Sequence, residues 1–209
     1  AAPVQPVRLS TISETNYFNQ LALKGFKLST QGLLIESLDG RKVYAELNSS
    51  VGFNPASVIK VATSFAALAK VGPDYHFETA VYSNGEINKK TRTLAGDLIF
   101  HTTGDPVLST IDVNRMVSAV IRAGIARVTG NVFVTGPFTY GAFSRTEQAT
   151  VALSRAMKRA GLKLNKVLSG GQPDGRVVAH HISPTLRDIL FYQNAHSVNT
   201  TAERLGEAF

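Results

Sequence analysis

Two short patterns could carry nucleophilic chemistry. Ser57-Val-Ile-Lys60 sets a hydroxyl and an amine three residues apart, so on a helix both leave the same face and the amine can take the hydroxyl proton. The amine must be neutral to do so, a state that burial and nearby cations favour. A helix N-terminus favours the negative charge that develops as the hydroxyl attacks. Ser197-Val-Asn199 supplies a second hydroxyl and a carboxamide two residues apart. With 16 Ser and 10 Lys in 209 residues, about one Ser-x-x-Lys is expected by chance, and Ser-x-Asn is no rarer. A helix-start Ser57 beside a solvated Lys60 is the plain alternative, and the flanking sequence has to decide.

Other polar residues have simpler readings. His180 and His181 are adjacent on a strand-like run, so they point to opposite faces, and no third ligand stands at metal-binding spacing. Asp105 in Gly104-Asp-Pro106 reads as a turn former. Glu203 reads as a packing or surface ion-pair residue, His196 as a helix-start or surface residue, and His76 and His101 as sheet residues. The chain has no cysteine, which excludes disulfides, thiolate metal sites and Cys nucleophiles. Neither a metal nor an organic cofactor is expected.

The elements that must position these groups follow from pattern. Ser10 to Lys24 reads as an amphipathic helix, and Gly32–Leu38 with Arg41–Leu47 as a hairpin turning at Asp39-Gly40. Ser57 to Val71 is almost uncharged and reads as a largely buried helix stopped by Gly72-Pro73. Strands are expected at His76–Tyr82 and Thr91–His101 around a Ser83-Asn84-Gly85 turn, then a helix capped by Ser109 or Thr110 and ending at Gly124. Ala126–Val134 reads as strand, Thr146 to Gly161 as helix, and Arg176–Ile182 as strand. Ser183-Pro184 is expected to cap a helix over Leu186–Tyr192, and Ser197–Phe209 to form a last one.

Composition narrows the class. Apolar residues make up 44% of the chain, enough for a sizeable core, and no run approaches the roughly 18 apolar residues of a membrane-spanning helix. Lys and Arg outnumber Asp and Glu by 22 to 15, giving +7, but they form no tract, so nucleic acid is not an expected partner. A diffuse positive surface suits peripheral association with an anionic membrane or envelope. The start Ala1-Ala2-Pro3-Val4-Gln5-Pro6 reads as what signal-peptide cleavage leaves, which implies an exported, periplasmic or extracytoplasmic protein.

The flanking sequence is more specific. Asn54-Pro-Ala-Ser-Val-Ile-Lys-Val-Ala-Thr-Ser-Phe-Ala-Ala-Leu-Ala-Lys-Val-Gly-Pro-Asp74 resembles the nucleophile helix of the low-molecular-mass class C penicillin-binding proteins, the D-alanyl-D-alanine carboxypeptidase/endopeptidase family. Gly96-Asp-Leu-Ile-Phe-His-Thr-Thr-Gly-Asp-Pro-Val-Leu108 resembles the segment that follows it there. His196-Ser-Val-Asn-Thr-Thr-Ala-Glu-Arg-Leu-Gly-Glu207 resembles the helix of that family's second motif. Three blocks in the right order argue against coincidence.

The resemblance implies a serine-type peptidase of peptidoglycan. Ser57 would attack the carbonyl between two D-alanines, Lys60 would take the proton, Ser197 would relay a proton to the leaving amine, and Asn199 would bind substrate. It also implies stem peptides as substrate and β-lactams as inhibitors. The implied fold is α/β (α+β), peptidase/β-lactamase-like, with an antiparallel sheet, a helical subdomain and a reduced inserted module. Residues 1–77 and 146–209 are expected to form the core and 78–145 the insert.

This sequence departs from the family's pattern in its third motif, in the interval between motifs with its recognition segment, and at Val198, which stands where the second motif often has Asp. The Lys-Thr/Ser-Gly motif expected after Asn199 does not occur in the 209 residues, so a truncated or cleaved piece, or a remnant without activity, is expected. The Ser57-to-Ser197 interval is short for this family. The family's acidic recognition segment has no counterpart in Val134–Phe143. A non-catalytic wall-binding relic of the same fold and a serine β-lactamase are the competing readings.

Overall fold

The computed structural model describes residues 7–8 and 12–209, so the start read as a cleavage product lies outside the described residues. The chain divides into two compact units, residues 1–56 and 57–209.

In the first unit, β1 (Val7–Arg8), β3 (Lys42–Leu47) and β2 (Leu33–Glu36) form a sheet in that order, β1 parallel to β3 and β2 antiparallel. The expected hairpin is present: Gly40 takes φ +67° at its tip, and the Ser37 hydroxyl donates to Asp39 Oδ1 at 2.6 Å. Val43 and Ala45 alternate into the core. Helix α1 (Ile12–Leu23) buries Glu14, whose carboxylate accepts the Glu46 backbone N–H at 3.0 Å. Ser10, expected within this helix, lies outside the described residues.

A 3-10 turn at Ala56–Val58 marks the boundary, and from Ser57 the second unit runs into α2 (Ile59–Val71). The long strands β4 (His76–Asn88) and β5 (Thr93–Thr102) follow, then α3 (Thr110–Arg122), β6 (Arg127–Val128) and β7 (Val132–Thr135). Helix α4 (Thr146–Arg159), β8 (Val167–Ser169), β9 (Arg176–Thr185), α5 (Leu186–His196) and α6 (Asn199–Ala208) complete it. The sheet order is β8-β7-β5-β4-β9, with β6 also paired to β5. β4 runs antiparallel to β5 and β9, while β5, β7 and β8 are parallel and joined through α3 and α4, as parallel neighbours require. The α+β class is as expected, though the sequence did not foretell the parallel half. The sheet takes strands from inside residues 78–145 and, through β8 and β9, from outside them.

Four local expectations need correction. Ser83-Asn84-Gly85 lies inside β4, and the hairpin turns instead at Lys89–Arg92, with Arg92 at φ +52°. Gly85 faces Gly96 across the strands, and a Cβ on Gly85 would lie 2.2 Å from the Ala95 carbonyl oxygen, so this glycine serves close strand approach and not a turn. The strand expected over Ala126–Val134 breaks into β6 and β7 at Gly130, whose Cβ position Asp97 Oδ1 occupies. Helix α5 is capped by Thr185, whose hydroxyl accepts from Asp188 N–H, because Ser183 and Pro184 continue β9. Finally, α2 is mostly exposed: Val61 and Phe65 are 62% and 74% accessible. It packs on α5 and α6 through the i, i+4, i+7 face of Lys60, Ser64 and Ala67, with Val71 partly buried at the end of the same face.

Two apolar clusters hold the second unit. Val113, Met116, Val117 and Val120 of α3 have helical i, i+3, i+4, i+7 spacing and pack with Leu94, Leu98, Phe100, Val132 and Val134 of the sheet. Ala149, Leu153 and Met157 of α4 join the same cluster. Of the two caps expected for α3, Ser109 is the one used, in a reciprocal box with Asp112. The second cluster joins Ala67 of α2, Phe77 of β4, Leu186, Ile189 and Leu190 of α5, and Leu205 of α6. It is this smaller core that seats the Ser57 and Ser197 elements together. Truncating a buried Phe such as Phe77 costs about 3–5 kcal/mol.

Candidate active site

Ser57 lies in the 3-10 turn just ahead of α2, and its approach is locally constrained. Ala56 adopts φ +43°, uncommon outside glycine, and its N–H is accepted by Asn54 Oδ1 at 2.9 Å. One turn on, Lys60 is buried to 6% accessibility, with Nζ 3.0 Å from Ser57 Oγ. Ser57 itself is exposed, so the hydroxyl opens to solvent while the amine beside it is covered. The first turn of a helix leaves backbone N–H groups without intrahelical acceptors, which makes this end favourable for developing negative charge.

Ser197 reaches the same point from the other end of the sequence. Helix α5 ends at His196 and α6 begins at Asn199, so Ser197 occupies the corner and takes the left-handed conformation, φ +54° and ψ 43°. Its backbone N–H closes α5 by donating to Gln193 O. Left-handed backbone at a residue with a Cβ costs about 1–2 kcal/mol. The hydroxyl it projects donates to Ser57 Oγ at 2.8 Å and accepts from Lys60 Nζ at 3.3 Å. Ser57, Lys60 and Ser197 thus form a closed triangle of hydrogen bonds. Strained backbone beside two of its three members is the pattern expected where side-chain aim matters more than local stability.

Asn199 opens α6 two residues past Ser197, exposed, and its side chain makes no hydrogen bond among the described residues. It neighbours the triangle and is not part of it.

Residues that the sequence reading did not single out support this arrangement. Ser64, one turn beyond Lys60, donates to the Lys60 carbonyl at 2.8 Å and receives Nε2 of Gln193 at 3.3 Å and Nδ2 of Asn194 at 3.1 Å. This polar seam joins α2 to α5 directly behind the triangle. Its signal was present as a polar residue at i+7 from Ser57 and i+4 from Lys60, on the same helix face. Arg204 of α6 is buried and donates to the carbonyls of Pro106, Gly141 and Phe143 at 3.1, 2.9 and 3.2 Å, tying the helix after Ser197 to two loops. Its burial holds the guanidinium below its ordinary value, against the pull of Asp105, Glu207 and Glu203.

The remaining polar residues fall elsewhere. Asp105 forms the expected turn, accepting the Val107 N–H at 2.9 Å, and also meets His181 Nε2 at 3.3 Å. His180 approaches Glu78 at 3.6 Å, so the two adjacent histidines of β9 take different carboxylates. Among the described residues no group of three or more His, Asp or Glu side chains could hold a metal. His196 stacks on Tyr192 at 4.2 Å. No helix of the described residues is long and apolar enough to cross a membrane.

Comparison with known proteins identifies the family and the fold. The D-Ala-D-Ala carboxypeptidase 3 (S13) family matches residues 18–140, a stretch that includes Ser57 and Lys60 and ends before Ser197. The D-alanyl-D-alanine carboxypeptidase DacB of Haemophilus influenzae is 31% identical over 104 residues, covering 50% of this chain and 21% of that protein. The D-alanyl-D-alanine carboxypeptidase of an Actinomadura species is 28% identical over 101 residues, covering 48% and 18% respectively. The crystal structure of penicillin binding protein 4 from Haemophilus influenzae superposes with a TM-score of 0.70 at 20% identity, over 85% of this chain and 61% of that one. The fold is therefore shared with that protein, which has also been crystallised with a β-lactam. The match spans about a fifth of the length of the curated relatives.

Proposed function

The chain belongs to the D-Ala-D-Ala carboxypeptidase 3 (S13) family, and from that premise we propose that it carries the acyl-forming site of a serine-type D-Ala-D-Ala carboxypeptidase or endopeptidase. The observation that carries this reading is the Ser57–Lys60–Ser197 triangle, with separations of 3.0, 3.3 and 2.8 Å. Each separation is a direct path for a proton.

In this mechanism the Lys60 amine accepts the Ser57 proton as Oγ attacks the carbonyl carbon between two D-alanines. The peptide C–N bond breaks, and the Ser197 hydroxyl hands a proton to the departing amine while receiving one from Lys60. An ester on Ser57 remains, and water hydrolyses it with the same groups returning the proton. The Ser57 backbone N–H, at the helix-start end, donates to the oxyanion. Asn199, exposed beside Ser197, binds the substrate amide. The substrates are the D-Ala-D-Ala ends or cross-links of peptidoglycan stem peptides, β-lactams acylate the same hydroxyl, and the protein works in the periplasm or another extracytoplasmic space.

Intact-mass spectrometry after incubation with benzylpenicillin tests the proposal. A stable adduct mapped to Ser57, and lost in Ser57→Ala, is the expected result. A folded protein that acquires no adduct on Ser57 would overturn it.

A further inference from the structure

Away from Ser57, helices α3 and α4 enclose a groove of about 620 Å³. That volume falls within the roughly 300–1,000 Å³ of small-molecule sites. On one wall Thr110, Asn114 and Ser118 follow one another at successive turns of α3. On the other, Arg155 and Arg159 stand one turn apart on α4. Tyr140 lies beneath them, 2% accessible, and its hydroxyl makes no hydrogen bond among the described residues. No acidic side chain lines the groove, and among the described residues neither arginine pairs with a carboxylate.

Two like charges one turn apart repel. Arg159 sits in the last turn of α4, where the helix carbonyls favour a cation, but Arg155 lies a turn earlier and has no such reason to be there. Burial holds the Tyr140 phenol above its ordinary value, so it remains an O–H donor. The groove therefore presents two unpaired guanidinium forks, a phenolic donor and a row of small neutral polar groups.

We propose that this groove binds a small organic anion bearing two oxyanion groups, carboxylate or phosphate, spaced by about one helical turn. One group seats in the fork of each arginine, where paired N–H donors match two oxygens. Tyr140 donates to the inner group, and Thr110, Asn114 and Ser118 meet the ligand's hydroxyl or amide groups. None of these six residues takes part in the chemistry at Ser57, so the site stands or falls separately from that reading.

Isothermal titration of the 209-residue protein at low salt, with tripolyphosphate and separately with citrate, tests the site. At least one should bind saturably at a single site. Removing one charge-assisted contact by Arg155→Gln or Arg159→Gln should weaken it about tenfold. Both arginines are exposed, so these changes leave the core intact. Tyr140→Phe should weaken it severalfold, and Lys158→Gln, on the same helix but outside the groove, should leave it unchanged. Preference for tripolyphosphate assigns a phosphate ligand and preference for citrate a carboxylate one. Absence of saturable binding by either, or an equal loss in Lys158→Gln, overturns the proposal.

Discussion

Ser197 Oγ donates to Ser57 Oγ at 2.8 Å although 140 residues separate them in the chain. The contact depends on three elements at once: the turn that opens α2, the left-handed corner between α5 and α6, and the apolar cluster that seats those helices on β4. The site is a property of their packing more than of either motif.

Ser197→Ala removes a proton path while leaving Lys60 and Ser57 in contact. Acylation by benzylpenicillin should slow by roughly 10²-fold, the usual contribution of one positioned acid–base group. Lys60→Met should slow it at least as much. Stopped-flow or quench-flow acylation rates decide this, and unchanged rates in both variants would remove these side chains from the mechanism.

Ser64→Ala removes the acceptor of Asn194 Nδ2 and one of the two acceptors of Gln193 Nε2, which keeps only Asn194 Oδ1 at 3.2 Å. With Gln193 fully buried, the cost should be about 1–3 kcal/mol in unfolding free energy. Because the seam lies behind Lys60, acylation should also slow. Urea unfolding alongside acylation rates separates the two effects.

Arg204→Met strips donors from three carbonyls that hold the helix following Ser197. A loss of about 1–3 kcal/mol is expected. Arg204→Lys should recover little of it, since one ammonium cannot span the carbonyls of both loops. Comparing unfolding midpoints of the two variants tests the claim.

Asp105 and Asp112 predict opposite pH responses. Burial raises Asp105 above its ordinary value, only partly offset by the Val107 N–H and by His181. The groups facing it are His181, Asp112 and, more remotely, Arg204. Its favourable contribution is full below the ordinary carboxylate value and is lost as pH rises through the raised one. Burial also pushes Asp112 upward, but hydrogen bonds from Ser109 with the charges of His181 and Arg115 hold it below the ordinary value. Its contribution is present above that value and is lost as pH falls through the lowered one. Unfolding free energies across ~pH 3–7 should flatten on the upper side in Asp105→Asn and on the acid side in Asp112→Asn.

Gly85→Ala should destabilise by about 1–3 kcal/mol. Its φ of +134° and the Ala95 carbonyl 2.2 Å from the would-be Cβ both resist a side chain. Thermal unfolding of the variant measures it.

By itself the sequence determined what depends on neighbours along the chain. The Asp39-Gly40 hairpin, the Ser109 cap with Asp112, the helix ends at Gly72, Gly124 and Gly161, and the shared face of Ser57 and Lys60 all follow from residue type and short spacing. Where a local signal had two physical uses, only the fold chose between them. Gly85 reads equally well as a turn or as a close strand crossing, and its partner Gly96 decides for the crossing. The apolar character of α2 suggested burial, yet its exposure depends on which helices meet it, and α5 and α6 cover only the Lys60, Ser64 and Ala67 face. The approach of Ser197 to Ser57, the buried grip of Arg204 on two distant loops, and the placing of Arg155 and Arg159 of α4 opposite Thr110, Asn114 and Ser118 of α3 join residues with no local signal between them. Closing such long intervals is driven by the burial of Phe77, Leu186, Leu205 and their neighbours, a collective and non-directional force that no short window of sequence displays.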